Sequence, residues 1–486
     1  MKIRNFTDVK SLFFDNKTLK QTIFKNISWL IVAEVISKGI GFLVVVWLAR
    51  HFGPTIYGQW AFALSFVAIF AVLADFGFST LTVREIARDK FKSAKYIDNI
   101  IGMKLILGLV TLGLIAFVIQ FLGKEPEIVK LVYFLGIYVV LNTFATFFHS
   151  IFRANEKMEY EAASRVIQSV SLLGLVAFFI LNKGSILTIS YAYLSAVLIG
   201  IIFTLIFIRC YFSKFFLKIN FEICQEIFKE AWPIGLVALA TTICYSLGSV
   251  LLGLMRSDIE VGWYNAASRI IFAIIPFSSI FFFSFFPQMS RAFKESYDNL
   301  KNVVEKYALL MFGVGLPLGI GGFIVAPELI KFLYGQPYLE TTLPFQILVW
   351  NLTIIFMITL YGNSLWALDK QKDFLKAVLI GATFNIAANL VLIPKYGIIG
   401  AAIAALLTEI VIFIKVSIEF NKTIKINLKN ILLPTGVSSI SMALVLIGVK
   451  EIGIMNPILL ILCGGIIYIL ILYFYIRKNL GTMIKI

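Results

Sequence analysis

Charge is scarce in this chain. Asp, Glu, Lys and Arg make up 14% of 486 residues, against 60% hydrophobic residues, and mean hydropathy is +0.92. So much apolar surface exceeds what a soluble core can bury, which excludes an ordinary soluble domain and leaves lipid as the solvent for much of the chain. Two histidines and four cysteines (Cys210, Cys224, Cys244 and Cys463), scattered along the sequence, are too few and too dispersed for a metal cluster or a disulfide framework. Long polar loops are missing too. The outer connections reach only about a dozen residues, so there is no large catalytic loop of the kind a membrane-embedded glycosyltransferase or polymerase needs. Gly319-Ile-Gly-Gly322 lies inside an apolar run with no Gly-Lys-Ser/Thr behind it, which excludes a phosphate loop. Nothing suggests a nucleotide site, a catalytic triad or a glycosidase carboxylate pair, and the chain reads as a non-enzyme.

What is present is a succession of apolar runs, such as Leu105 to Phe117 and Ile458 to Tyr475, near or within the length needed to cross about 30 Å of hydrocarbon. The formal net charge of +16 would suggest nucleic-acid binding in a soluble protein, but its placement argues otherwise. With fourteen spans, beginning near residues 25, 58, 99, 130, 162, 186, 231, 263, 303, 341, 375, 397, 430 and 456, alternate segments starting from the N-terminus hold 32 Lys and Arg. The intervening segments hold 8, and Lys38, Lys104 and Arg269 fall inside spans. This alternation follows the positive-inside rule, so both termini are expected in the cytoplasm and no nucleic-acid partner is expected. The first 24 residues are basic and lack the apolar core and cleavage site of a secretory signal; the first span is expected to be retained.

The expected fold is all-α and membrane-integral. A weak repeat runs through it at an offset of 204 residues: Phe24-Lys25 matches Phe228-Lys229, and Gly58 at the start of span two matches Gly262 at the start of span eight. Six spans separate equivalent positions, an even number, which makes the repeat parallel rather than inverted and implies two six-helix lobes about a central cavity. The expected organisation is a basic arm over 1–24, a first lobe over 25–209, a cytoplasmic linker over 210–230, a second lobe over 231–420 and two further helices over 421–486.

The stretch Trp47-Leu-Ala-Arg-His-Phe-Gly-Pro-Thr-Ile-Tyr-Gly-Gln-Trp60, with Ala74-Asp-Phe-Gly-Phe-Ser79 and Arg84-Glu-Ile-Ala87 after it, resembles the opening of polysaccharide-biosynthesis membrane proteins, the O-antigen or repeat-unit flippases. Ala154-Asn-Glu-Lys-Met-Glu-Tyr160 and Tyr396-Gly-Ile-Ile-Gly-Ala-Ala402 are similar to that family as well. The family belongs to the exporter superfamily that also holds multidrug extruders and lipid II flippases. The resemblance implies translocation of a polyprenyl-phosphate- or pyrophosphate-linked oligosaccharide across the cytoplasmic membrane by alternating access. A sugar chain and its phosphates cannot enter hydrocarbon without losing hydration, so a wet, partly cationic cavity is required while the lipid tail stays in the bilayer.

Ionisable residues inside spans are the candidates for this work, since each costs about 2.5–3.5 kcal/mol at mid-bilayer even on lenient scales. Lys38, Lys104, Arg165 and Arg269 are the candidate substrate-binding cations. Lys104 and Arg165 lie near cytoplasmic ends, where snorkelling to the interface is the default. Arg269 sits towards the outer side, where a guanidinium can fork onto a phosphate or reach outer headgroups. Glu34, Asp75 and Glu409 are the candidate ion-coupling acids. Glu34 and Lys38 share a helical face at i, i+4, so they read either as a neutralising pair or as a cavity cation with a switchable partner. Asp75 lies near the depth of Glu34, where the two acids can meet, or it caps or anchors helix packing beside Gly77 and Ser79. His149 reads as a packed, hydrogen-bonded residue, and Gly313, Gly315 and Pro317 as a kink in span nine, with Pro276 doing the same for span eight. No cofactor is expected beyond a coupling proton or sodium ion. The expected partners are membrane lipids, the lipid-linked oligosaccharide and envelope glycan-assembly proteins, with the monomer as the working unit. Two other readings stay open: an ion-coupled efflux antiporter for organic cations, which needs an acidic, aromatic cavity, and a scaffold subunit that transports nothing.

Overall fold

The computed structural model describes residues 19–90, 93–211, 219–368 and 370–479. Most of the basic arm and residues 212–218 of the expected linker lie outside the described residues. With no water to satisfy peptide groups in a bilayer, apolar sequence of this kind closes its hydrogen bonds within helices. The elements are α1 (Leu19–Asp75), α2 (Phe78–Arg88), α3 (Ser93–Phe121), α4 (Pro126–Ala154), α5 (Met158–Leu181), α6 (Ile186–Tyr211), α7 (Phe221–Met255), α8 (Asp258–Ile274), α9 (Pro276–Glu295), α10 (Tyr297–Tyr334), a 3₁₀ turn (Gln336–Thr341), α11 (Thr342–Ala367), α12 (Gln371–Asn421), α13 (Lys429–Glu451) and α14 (Pro457–Asn479).

Among the described residues, eleven helical stretches are long and apolar enough to cross a membrane. Two of them, residues 28–88 and 371–421, are double length. Their backbones leave the helix at Gly53 (φ 76°) and Gly397 (φ 55°), left-handed conformations that glycine adopts without a Cβ penalty. Pro54 follows the first and Pro394 precedes the second. Each stretch is therefore two spans joined with almost no loop. Span eight is divided into α8 and α9 at Pro276, because the ring removes a backbone donor and crowds the preceding turn. With each double-length stretch counted as two and α8–α9 as one, the described residues give fourteen segments, the number of the hydropathy reading. At Gly313–Pro317, where a kink is expected, the helix is not interrupted: α10 runs over 38 residues through Pro317, and the Thr353 hydroxyl of α11 donates to the Gly315 carbonyl at 2.8 Å, tying the two helices together there.

The chain divides into two compact units. Unit 1 takes the described residues up to Trp47 with Gln59–Thr242. Its core joins Phe78 and Leu81 of α2 to Tyr96, Phe147, Phe152, Ile227 and Ala231, so the first part of α7 packs as part of this unit rather than as a free linker. Unit 2 takes Leu48–Gly58 with the described residues from Ile243 onward. Its core runs through Tyr307, Met311, Phe356, Leu360, Tyr361 and Phe420. The last two helices belong to unit 2, where Met442 and Leu446 of α13 and Leu460 and Tyr468 of α14 close over Val325 of α10.

Candidate functional site: a charged stripe in unit 1 and an acidic cavity in unit 2

In unit 1, α4, α5 and the first arm of α1 carry a chain of alternating charges. Arg153 donates through Nε and Nη2 to both oxygens of Glu161, the forked geometry that suits a guanidinium and a carboxylate. Arg165, one turn on from Glu161, lies 3.8 Å from it and 2.9 Å from Glu34 Oε2. Glu161 is fully buried, whereas the side chains of Glu34 and Arg165 are 25% and 26% exposed. Of the two readings of Glu34 and Lys38, the neutralising pair does not form. A guanidinium on the neighbouring helix takes the carboxylate, and the exposed Lys38 ammonium forms no ion pair or hydrogen bond among the described residues. Gln168, one turn beyond Arg165, donates to Asn142 at 3.3 Å and extends the polar stripe. Arg165 therefore does not snorkel; a carboxylate within the unit holds it.

Lys104 is also placed differently from the expectation. Its side chain is fully buried, and its ammonium donates to Asp75 Oδ1 at 2.7 Å, the Ala74 carbonyl at 3.1 Å and Thr143 Oγ1 at 3.3 Å. Three protons meet three acceptors, and the Phe144 and Phe147 rings lie 5.3 and 5.8 Å from the nitrogen. The backbone explains the acceptor set. α1 breaks at Phe76 (φ 44°) and Gly77 (φ 84°), which takes the Ala74 carbonyl out of the regular ladder, while the Ser79 hydroxyl donates to the same Asp75 oxygen at 2.7 Å. Glu34 and Asp75 thus take separate cations, and no contact joins the two acids. His149 is buried, with Nε2 3.4 Å from Ser164 Oγ and 3.5 Å from Thr204 Oγ1, a packed residue as read.

Unit 2 holds the remaining candidates. The segment Leu48–Gly58 is seated within it. Arg50 donates to the Leu333 carbonyl at 2.6 Å and to that of Phe332, covering carbonyls at the end of α10 that have no helical partner. Tyr338 donates to the Ala49 carbonyl at 2.9 Å. Arg269 lies against the Tyr57 hydroxyl, is partly buried, and keeps its Nε buried without a hydrogen-bond partner. No carboxylate pairs with it among the described residues. Glu409 is buried and borders a cavity of about 20 Å³ whose lining includes Cys244, Tyr245, Tyr264, Ser268 and Asn351. The Asn351 Oδ1 atom there has no partner. Such a volume holds one water or one bare monovalent ion, and carboxylate, amide and hydroxyl oxygens are fitting donors for a proton or sodium. Asn351 and Tyr245 escaped the sequence reading because neutral residues on two different helices, α11 and α7, carry no shared spacing signal. Among the described residues no group of three or more His, Cys, Asp or Glu side chains forms a metal site, and all four cysteines are free.

Residues 23–293 match the family described as polysaccharide biosynthesis protein. Among curated relatives, the chain is 24% identical over 385 residues to the “Probable low-salt glycan biosynthesis flippase Agl15” of Haloferax volcanii, covering 78% of this chain and 79% of that protein. It is 24% identical over 404 residues to the capsular polysaccharide biosynthesis protein CapF of Staphylococcus aureus, covering 80% and 97%. Among solved structures, the lipid II flippase MurJ in an inward closed conformation superposes with a TM-score of 0.76 at 16% identity, covering 93% of this chain and all of that one. An inward-facing multidrug transporter of the MATE family gives 0.65 at 16% identity, covering 82% and 98%. At these identities the two structures establish the shared fold.

Proposed function

The chain belongs to the polysaccharide biosynthesis protein family, and from that membership we propose that it flips a polyprenyl-phosphate- or pyrophosphate-linked oligosaccharide across the cytoplasmic membrane, in glycan or polysaccharide biosynthesis, by alternating access. The observation that carries this reading is Lys38. An ammonium within a membrane span is costly unless it is paired or faces water, and this one is exposed and, among the described residues, unpaired one turn from the Glu34–Arg165 pair. A phosphate ligand would supply the missing counter-charge, and Arg165 a second donor beside it. Arg269 with its unpartnered Nε is a second phosphate candidate, in unit 2. Lys104 contributes to the architecture instead, since its three donors are spent.

Glu409 is the acid that best suits the coupling-ion role. Glu34 and Asp75 are each held by a cation, whereas Glu409 faces a small oxygen-lined cavity. That cavity also bears on organic-cation efflux. It has room for a single ion or water beside a carboxylate, which suits coupling in either reading. In this reading both termini face the cytoplasm, after the distribution of Lys and Arg.

The test is disruption of the gene with leaflet-resolved analysis of its lipid-linked glycans. The expected result is loss of glycan from the outer leaflet with precursor accumulating on the cytoplasmic side, restored by the wild-type gene. Normal delivery of precursor to the outer leaflet would overturn the reading. Intact export by a variant with Lys38, Arg269 and Asp75 all neutralised would point instead to a scaffold subunit.

A further inference from the structure

A site that binds a phosphate at the membrane has a selectivity problem. Ordinary phospholipids also carry a phosphate, and they vastly outnumber any polyprenyl carrier. An unguarded arginine would be occupied by them. The unit 1 stripe contains an answer. Of its ion pairs, Arg153–Glu161 has a fully buried carboxylate and Asp75–Lys104 a fully buried ammonium, so a ligand cannot exchange into either. Glu34–Arg165 differs: both side chains are about a quarter exposed, the separation is 2.9 Å, and a cation with no partner of its own lies one turn away at Lys38. Arg165 draws little from its other acid, because Glu161 is 3.8 Å away and already forked by Arg153.

We propose that Glu34 is a specificity-determining residue: its carboxylate sits on Arg165 where a substrate phosphate would bind, and an anion displaces it only by engaging Lys38 as well. This rests on the flippase reading and names what the same site selects. A carboxylate and a phosphate oxygen compete for the same guanidinium donors. Glu34 is tethered and thus present at a high effective concentration, in the millimolar range or above. A phospholipid headgroup with a single negative phosphodiester gains one contact and does not repay the loss of Glu34. A diphosphate diester carries two negative charges on adjoining phosphates, meets Lys38 and Arg165 together, and wins. Glu34 is therefore an internal competitor that rejects monoanionic lipids.

The experiment uses the full-length chain in nanodiscs of zwitterionic lipid, with dioleoyl-phosphatidylglycerol and a long-chain polyprenyl diphosphate as probes and bound lipid counted by native mass spectrometry. Wild type is expected to prefer the diphosphate by about tenfold or more, a difference of about 1.4 kcal/mol. Glu34→Gln is expected to strengthen phosphatidylglycerol binding by about tenfold and the diphosphate by less, so that the preference shrinks. Lys38→Gln, at an exposed side chain with no bonds to lose, keeps the test open should the Glu34 variant fold poorly. It is expected to weaken the diphosphate about tenfold and leave phosphatidylglycerol within about twofold. A folded Glu34→Gln chain that binds phosphatidylglycerol no better than wild type, or a Lys38→Gln chain that loses both lipids equally, overturns the proposal while the flippase reading stands. A wild type with no preference for the diphosphate also overturns the proposal, and the flippase reading falls only if precursor reaches the outer leaflet normally after gene disruption.

Discussion

Glycine 262 offers a sharp test of the packing in unit 2. A Cβ built on Gly262 would lie 1.9 Å from the Pro54 carbonyl oxygen, and one built on Gly58 would lie 1.8 Å from the Asp258 carbonyl oxygen. The two contacts are reciprocal, and all four residues obey the 204-residue offset. Real Cβ contacts essentially never fall below 3.0 Å, so either alanine must push the crossing apart by more than 1 Å. The obstruction is backbone, which cannot swing aside as a long side chain can. Overpacking of this sort costs about 1–3 kcal/mol, and the better helix propensity of alanine returns up to about 1 kcal/mol. Gly262→Ala should therefore destabilise unit 2 by about 2 kcal/mol, lowering the unfolding midpoint by about 4 °C or more on the scale of a body of this size. Thermal unfolding of the detergent-purified chain, followed by tryptophan fluorescence, would read the shift. Gly113→Ala and Gly174→Ala are the controls, because nothing lies within 4 Å of a Cβ at either position and both sit inside helices; they should be neutral or slightly stabilising. The Gly58→Ala/Gly262→Ala double variant should lose less than the two singles together, by about 1 kcal/mol, since one opened crossing accommodates both methyl groups. A Gly262→Ala midpoint within 1 °C of wild type, using about that figure as the resolution of the method, would refute the close approach.

Lys104→Met should cost about 3 kcal/mol by leaving Asp75 without its buried partner, seen as loss of monodisperse protein on size-exclusion chromatography. Lys104→Met combined with Asp75→Leu should recover much of that loss, and a double variant as unstable as the single would show that the pair is not coupled. Lys38→Gln should reduce glycan export by about tenfold or more at unchanged thermal stability, whereas Lys38→Arg should retain most export; equal export by Lys38→Gln and wild type would remove Lys38 from the site. Glu409→Gln should fold, since the amide fits the same cavity, but transport in proteoliposomes should no longer respond to an imposed proton or sodium gradient. A preserved gradient response would move the coupling role elsewhere.

Much of the architecture was legible without coordinates, because membrane spans are written in local terms: apolar length, breakers and the sidedness of Lys and Arg. Hydropathy sufficed for the fourteen helices, proline chemistry for the break at Pro276, and the register of Gly58 with Gly262 for two positions that turn out to meet in space. At Gly313–Pro317 the same local chemistry does not end α10, which continues through the proline. Charge partners were the least legible. At i, i+4 spacing, Glu34 belongs with Lys38; in the folded chain Arg165, 131 residues away, takes it. By depth, Lys104 belongs at the interface; the helix break at Phe76–Gly77 instead turns Asp75 and a loose carbonyl towards it. The physical reason is that hydrophobicity acts additively along the chain and can be summed from sequence, while an ion pair in a low-dielectric interior depends on ångström-scale separation between helices. Sequence alone determined that this is a many-helix membrane protein with a few costly charges inside its spans. Only the tertiary structure decided which of those charges are spent on one another and which, Lys38 and Arg269 among them, are left without a counter-charge among the described residues.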